Sequence, residues 1–108
     1  MEFNQKIANY GLKLSMEFGE NWLKPIHERL NKKYPQLLPI ELEQYNKLCK
    51  EVNTYANDFI FKNPVKINEK LTFLPFKDFK QEILKKYTWI SEENLKYLYS
   101  QSCYYAWK

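Results

Sequence analysis

Between residues 39 and 62, apolar side chains recur in steps of three and four: Leu42, Tyr45, Cys49, Val52, Ala56 and Phe59. That spacing is one face of an α-helix. Leu48, Tyr55 and Ile60 widen the stripe, and Glu43, Lys47, Lys50, Glu51, Thr54 and Asp58 take the other side. The stripe is too broad for a two-stranded coiled-coil seam and suits the central helix of a bundle. Pro39 fits the first position of this helix, where a missing amide costs least. Asn63–Pro64 stops it, because the residue before a proline avoids the helical region.

Upstream, Phe3, Ile7, Tyr10, Leu14 and Phe18 are spaced as a helix. A second set, Leu12, Met16, Leu23, Ile26 and Leu30, carries the rhythm on through Gly19 towards Lys33. Pro25 conflicts with one continuous helix, since it lacks an amide donor and clashes with the carbonyl four residues back. The spacing therefore predicts two helical segments in near-continuity, with a kink or short break between Gly19 and Pro25. In the broken version Asn21 caps the second segment and Pro25 sits in its first turn. Tyr34–Pro35 ends it.

Residues 64–75 are harder to read. Val65, Ile67, Leu71 and Phe73 alternate with polar residues, as two short strands would. A two-residue turn at Asn68–Glu69 pairs Ile67 with Lys70 and mixes apolar and charged side chains on one face. A three-residue turn matches the faces but wants glycine where Lys70 stands. An ordered loop packed by its own apolar residues is the preferred reading. Pro75 then opens a helix whose inner side carries Phe76, Phe79, Ile83, Leu84 and Tyr87. Ser91 caps the last helix, with Glu92 and Glu93 complementing the dipole in its first turn and Ile90 and Leu95 placed as a hydrophobic staple.

The last helix is unusual in its rings. Tyr97, Tyr99, Tyr104, Tyr105 and Trp107 all fall within it. At about 100° per residue, Leu95, Leu98, Tyr99, Ser102, Cys103 and Ala106 share one side. Tyr97 and Tyr104, one heptad apart, lie together on the opposite side, with Trp107 between. An aromatic pair on a face that should be wet implies either a second covering by this chain, from the 64–75 loop or the first helix, or a contact surface for another molecule.

Composition narrows the choices. The chain of 108 residues holds only Gly11 and Gly19, too few for the tight turns of a sheet protein. The expected fold is all-α: one domain over 1–108, four to five helices in a compact bundle, and one irregular connection at about 63–75. The net charge of +4 suggests nucleic acid, yet sixteen of seventeen basic residues are lysine and Arg29 is alone. Specific readers of bases and phosphates lean on the forked guanidinium. No run of five like charges occurs. No signal peptide is expected, because Glu2 and Asn4 interrupt any basic leader and no apolar core follows. No apolar run nears the ~18 residues of a membrane span. A cytoplasmic protein is expected, with Cys49 and Cys103 as buried free thiols on apolar stripes.

Candidate chemistry is thin. His27 is the only histidine, with no glutamate three residues before it, so carboxylate-bridged metal motifs do not form. There is no glycine-rich phosphate loop and no cysteine spacing for zinc. No catalytic, metal or cofactor site is expected. The favoured function is a small interaction module that self-associates or docks on a protein through Tyr97, Tyr104 and Trp107. The alternative is a nucleic-acid binder built on a helix-turn-helix-like unit at 76–107, using Lys77, Lys80, Lys85, Lys86 and Lys96. Glu92 and Glu93 in the first turn of its recognition helix speak against it. An enzyme using His27 is the remote third reading.

Overall fold

The computed structural model describes residues 3–17, 24–67 and 70–107, without the side chains of 66, 67, 70, 71 and 107. The protein is all-α, with five helices among the described residues: α1 (Gln5–Ser15), α2 (His27–Lys33), α3 (Pro39–Lys62), α4 (Phe76–Lys86) and α5 (Glu92–Trp107). A small antiparallel ribbon of β1 (Val65–Ile67) and β2 (Lys70–Thr72) lies between α3 and α4 in the chain. The chain divides into two compact units, Met1–Val52 and Asn53–Lys108, with the boundary inside α3.

In the first unit, α1 begins two residues later than the apolar rhythm predicts. Asn4 is its cap: the Ile7 amide donates to Asn4 Oδ1 at 3.1 Å, satisfying one orphan donor of the first turn. The Asn4 amide in turn donates to the Tyr45 hydroxyl at 3.1 Å. Ile7, Ala8, Leu12, Leu14 and Met16 are buried, as are Ile26, Leu30, Leu42, Tyr45, Cys49 and Val52. Gly11 permits a close approach here. A Cβ at that position would lie 3.1 Å from Ile26 Cδ1 and 3.3 Å from Cys49 Sγ.

The helix read as running on from residue 3 stops at Ser15, and residues 18–23, which hold Gly19 and Asn21, lie outside the described residues. Pro25 is not inside a helix either. It precedes α2, whose cap position is Ile26, without a side-chain cap bond. The Ile26 amide instead donates to Asn46 Oδ1 of α3 at 3.1 Å. Arg29 explains why the carbonyls near this break are not orphaned. Its guanidinium donates to the carbonyls of Leu14, Lys24 and Pro25 and to the Glu17 carboxylate, at 3.0 to 3.4 Å. The lone arginine is thus a structural fork, which a lysine could not reproduce.

In the second unit the ribbon corrects the loop reading. Val65 pairs with Thr72, Lys66 with Leu71 and Ile67 with Lys70, the two-residue-turn register that mixes residue types on each face. Asn68 and Glu69 lie outside the described residues. Matching faces decides a register only where one face is buried. Val65 is half-buried and Thr72 exposed, so the described end of the ribbon makes no such demand.

Pro75 is the cap of α4 rather than its first helical residue. Phe79, Ile83 and Tyr87 are buried, as are Ala56 and Ile60 of α3, and the rings of Phe59 and Tyr55 of α3 meet those of Phe79 and Tyr87. Ser91 caps α5, its Oγ accepting from the Asn94 amide at 3.2 Å. Lys80 reaches Glu92 at 2.6 Å and ties α4 to the first turn of α5. Among the described residues, no helix is long and apolar enough to cross a membrane.

Candidate functional site

The buried side of α5 is not the one that apolar counting selects. Leu95, Leu98 and Ser102 are buried as expected, but Tyr99, Cys103 and Ala106 are only half-buried. Asn94 and Gln101 are buried instead. Gln101 Nε2 donates to Asn53 Oδ1 at 2.6 Å, and Ser102 Oγ donates to Asn57 Oδ1 at 2.9 Å. Asn53 and Asn57 are one turn apart on α3, so they meet two successive residues of α5. Buried amides need partners, and these four side chains supply one another. Two asparagines four residues apart beside the apolar stripe of α3 were the available signal in the sequence.

That rotation sets the rings. Tyr99 is held inward: its hydroxyl donates to the Leu74 carbonyl at 2.7 Å, and its ring lies 5.4 Å from Phe76 and 5.3 Å from Phe79. Burial pushes the Tyr99 hydroxyl above its ordinary pKa, and the neighbouring Cys103 adds to the rise. Burial also raises Cys103, partly offset by its hydrogen bond with Tyr99. On the outer side Tyr97 keeps 45% and Tyr104 57% of its surface in water. The described part of the chain therefore does not cover the pair. Tyr105 is half-buried and meets the Tyr104 ring edge-to-face at 5.4 Å, which steadies that ring. The outer side of α5 also carries Glu93, Lys96 and Ser100, all exposed. Trp107 is the last residue of α5, and its side chain lies outside the described residues.

The lysines of the nucleic-acid reading are not gathered onto one face. Lys77 and Lys86 are nine residues apart in α4, half a turn out of phase at about 100° per residue. Lys80 is paired with Glu92, and Lys85 lies 3.7 Å from Glu82. Lys86 sits over the Tyr55 ring at 4.4 Å and near Tyr87 at 5.6 Å, a cation–π site within the chain. Lys77 and Lys96 are exposed.

His27 is a third exposed and lies 2.7 Å from the Glu43 carboxylate. An open cleft of about 390 Å³ beside it is lined by Lys24, Pro25, Glu28 and Arg29. This pair could orient an imidazole, but no hydroxyl or thiol lines the cleft as a nucleophile. Cys49 is buried elsewhere in the first unit, where desolvation pushes its thiol up to about 12, so the reactive thiolate is suppressed. No group of three or more His, Cys, Asp or Glu among the described residues could hold a metal ion. A second open cleft, about 430 Å³, has Phe3, Ile7, Leu37 and Tyr45 among its walls. No family model, curated protein or solved structure matches the chain.

Proposed function

We propose that this protein is a small cytoplasmic interaction module that docks on protein, either another copy or a different partner, through the outer face of α5. The observation that carries this reading is the exposure of Tyr97 and Tyr104 on one side of a well-capped helix. Tyrosine offers a large, stiff contact area at low cost in side-chain entropy, and it is enriched at protein interfaces. The edge-to-face contact with Tyr105 holds one of these rings in place before any partner arrives, which lowers the cost of ordering it. Both cysteines are free, in keeping with a reducing compartment.

The test compares the wild-type chain with Tyr97→Ala/Tyr104→Ala. Light scattering reads assembly mass, and affinity capture reads bound proteins. The double variant should keep wild-type helicity yet lose both the added mass and whatever the wild type retains. A variant that assembles and captures as the wild type does refutes the reading. The lysine-patch alternative is the weaker one, because Lys80 and Lys86 already engage Glu92 and Tyr55. Its own check is a gel shift at two salt concentrations, where counterion release demands a steep loss of affinity.

A further inference from the structure

We infer that Tyr55, Tyr87 and Trp89 form a binding site for a trimethylammonium group, a site that the chain's own Lys86 fills when no ligand is present. It lies within the second unit and uses no residue of the outer face of α5.

The rings make a corner. Tyr55 stands on α3, and Tyr87 and Trp89 follow α4 in the chain. Tyr55 and Tyr87 meet edge-to-face, with centroids 5.8 Å apart and planes at 80°, so they form two walls at nearly a right angle. Trp89 stands against Tyr87 at 6.4 Å and 73°. Tyr87 is buried, while Tyr55 and Trp89 are half-buried, so the corner is anchored in the core and opens to water.

A cation already marks it. Lys86 Nζ lies 4.4 Å from the Tyr55 centroid and 5.6 Å from that of Tyr87, both within the ~6 Å reach of a cation–π contact. Two rings around one positive charge are what an ammonium-binding cage offers, and the lysine ammonium stands in for that of a ligand. The first unit gives a contrast. Lys33 precedes Tyr34 as Lys86 precedes Tyr87, and Tyr34 meets Tyr10 edge-to-face at 5.9 Å. Among the described residues Lys33 reaches the Tyr10 ring alone, at 5.6 Å, so the corner of the second unit is the closer fit to a cation.

Chemistry selects the ligand. Ring faces offer no lone pair to replace the water around a primary ammonium, so exposed Lys86 holds the corner weakly. Its four-carbon stem lets it swing aside. A trimethylammonium group is poorly hydrated and presents methyl groups to both walls, the mode in which aromatic cages take quaternary ammonium ligands. Glu82 adds negative charge at the rim, with one carboxylate oxygen 3.5 Å from the Tyr55 hydroxyl. Its other oxygen faces Lys85 at 3.7 Å, a loose surface pair that shares the charge without cancelling it.

Titration of the full chain at constant ionic strength, read at the Trp89 indole N–H by NMR, tests the site. Lys86→Ala should bind tetramethylammonium with a Kd on the order of 1–10 mM. The wild type should bind it about two- to fivefold more weakly, the weight of one exposed cation–π contact that the ligand must displace. Choline should bind like tetramethylammonium, and the neutral alcohol with a tert-butyl group in place of choline's trimethylammonium should bind about fivefold more weakly or worse. Tyr55→Leu added to Lys86→Ala, with helicity checked, should cut the affinity about fivefold. The neutral alcohol needs no change in the walls, so it decides the matter if that variant unfolds. A trimethyllysine peptide separates the two sources of the group: tighter binding than choline places it on a protein side chain, and equal or weaker binding places it on a small molecule. Absence of a saturable shift in Lys86→Ala overturns the site, as does equal binding of the neutral alcohol or an affinity indifferent to Tyr55. A wild type that binds as tightly as Lys86→Ala overturns Lys86 as its occupant.

Discussion

Helices α4 and α5 belong to the same unit and are joined by a short connection, yet they sort their side chains by different rules. α4 buries Phe79 and Ile83 and turns Lys77, Gln81, Lys85 and Lys86 outward, as the hydrophobic effect alone dictates. α5 buries Asn94, Gln101 and Ser102 beside its leucines and leaves Tyr97 and Tyr104 in water. The difference lies in what fixes the rotation of each helix about its axis. Apolar packing fixes α4. In α5, Gln101 with Asn53 and Ser102 with Asn57 also vote, and turning the helix to cover its tyrosines would break both bonds. A buried amide stripped of its partner costs about 1–3 kcal/mol, comparable to what burying half of a tyrosine ring returns. The exposed rings are thus a consequence of the polar pairs on the other side.

If that contrast is right, the largest effect belongs to α4. Phe79 is fully buried and touches the rings of Phe59 and Tyr99. Phe79→Ala should cost about 3–5 kcal/mol in urea unfolding, through lost burial plus a cavity. Exposed Lys77→Ala should stay within about 0.5 kcal/mol. A small loss at Phe79 would remove apolar packing as the rule for α4.

Next comes the polar pair of α5. Gln101→Leu removes the donor to Asn53 Oδ1 inside the protein and should cost about 1–3 kcal/mol. Replacing both partners, Asn53→Leu with Gln101→Leu, should recover part of that loss, since neither end of this bond is then left short of the other. The double variant should also loosen the rotation of α5, seen as a change in Tyr fluorescence quenching. If Gln101→Leu is neutral, hydrogen bonding does not orient this helix.

A smaller effect separates the rings of α5 from one another. Tyr99→Phe deletes the hydroxyl that donates to Leu74, at a cost of about 1 kcal/mol. It also changes the alkaline limb. Tyr99 and Tyr105 are raised above the ordinary 10.0, chiefly by burial, and Cys103 above 9.0. The folded chain therefore holds these protons at a pH where the unfolded chain has released them. Their stabilising effect is complete below about pH 9 and is lost as pH climbs through the folded values. Denaturation midpoints of the wild type should fall above pH 9, with the Cys49 thiol, pushed up to about 12, contributing as well, and Tyr99→Phe should soften that fall. A midpoint flat to pH 11 would contradict the inward placement of these groups.

Much of this architecture was readable from punctuation. Pro39, Asn63–Pro64 and Ser91 mark helix ends through local backbone chemistry, and each does so in the structure. What the pattern missed depends on partners distant in the chain. The end of α1 is met by Arg29, fifteen residues from Leu14, which no local rhythm encodes. The rotation of α5 depends on Asn53 and Asn57, nearly fifty residues away, and an apolar count gives polar residues no weight. The ribbon at Val65–Thr72 was misjudged because face-matching presumes a buried face. Tyr97 and Tyr104 were legible as rings facing away from the core because seven residues return a helix almost to the same angle whatever its partners.

The last effect carries the most functional weight. Tyr97→Ala with Tyr104→Ala removes two rings that stand about half in water, one of them against Tyr105, so the folded chain should lose only about 1–2 kcal/mol in all. Association through that face should fall about tenfold or more, because aromatic pairs that are desolvated only on docking contribute there and nowhere else. The two readouts must separate. Urea midpoints measured at low concentration should fall only slightly from the wild type, while the mass at high concentration should drop to that of one chain. Should the double variant instead lose several kcal/mol as a monomer, the rings are packed by this chain after all. The outer face of α5 would then be a second core surface, sorted by the same rule as α4.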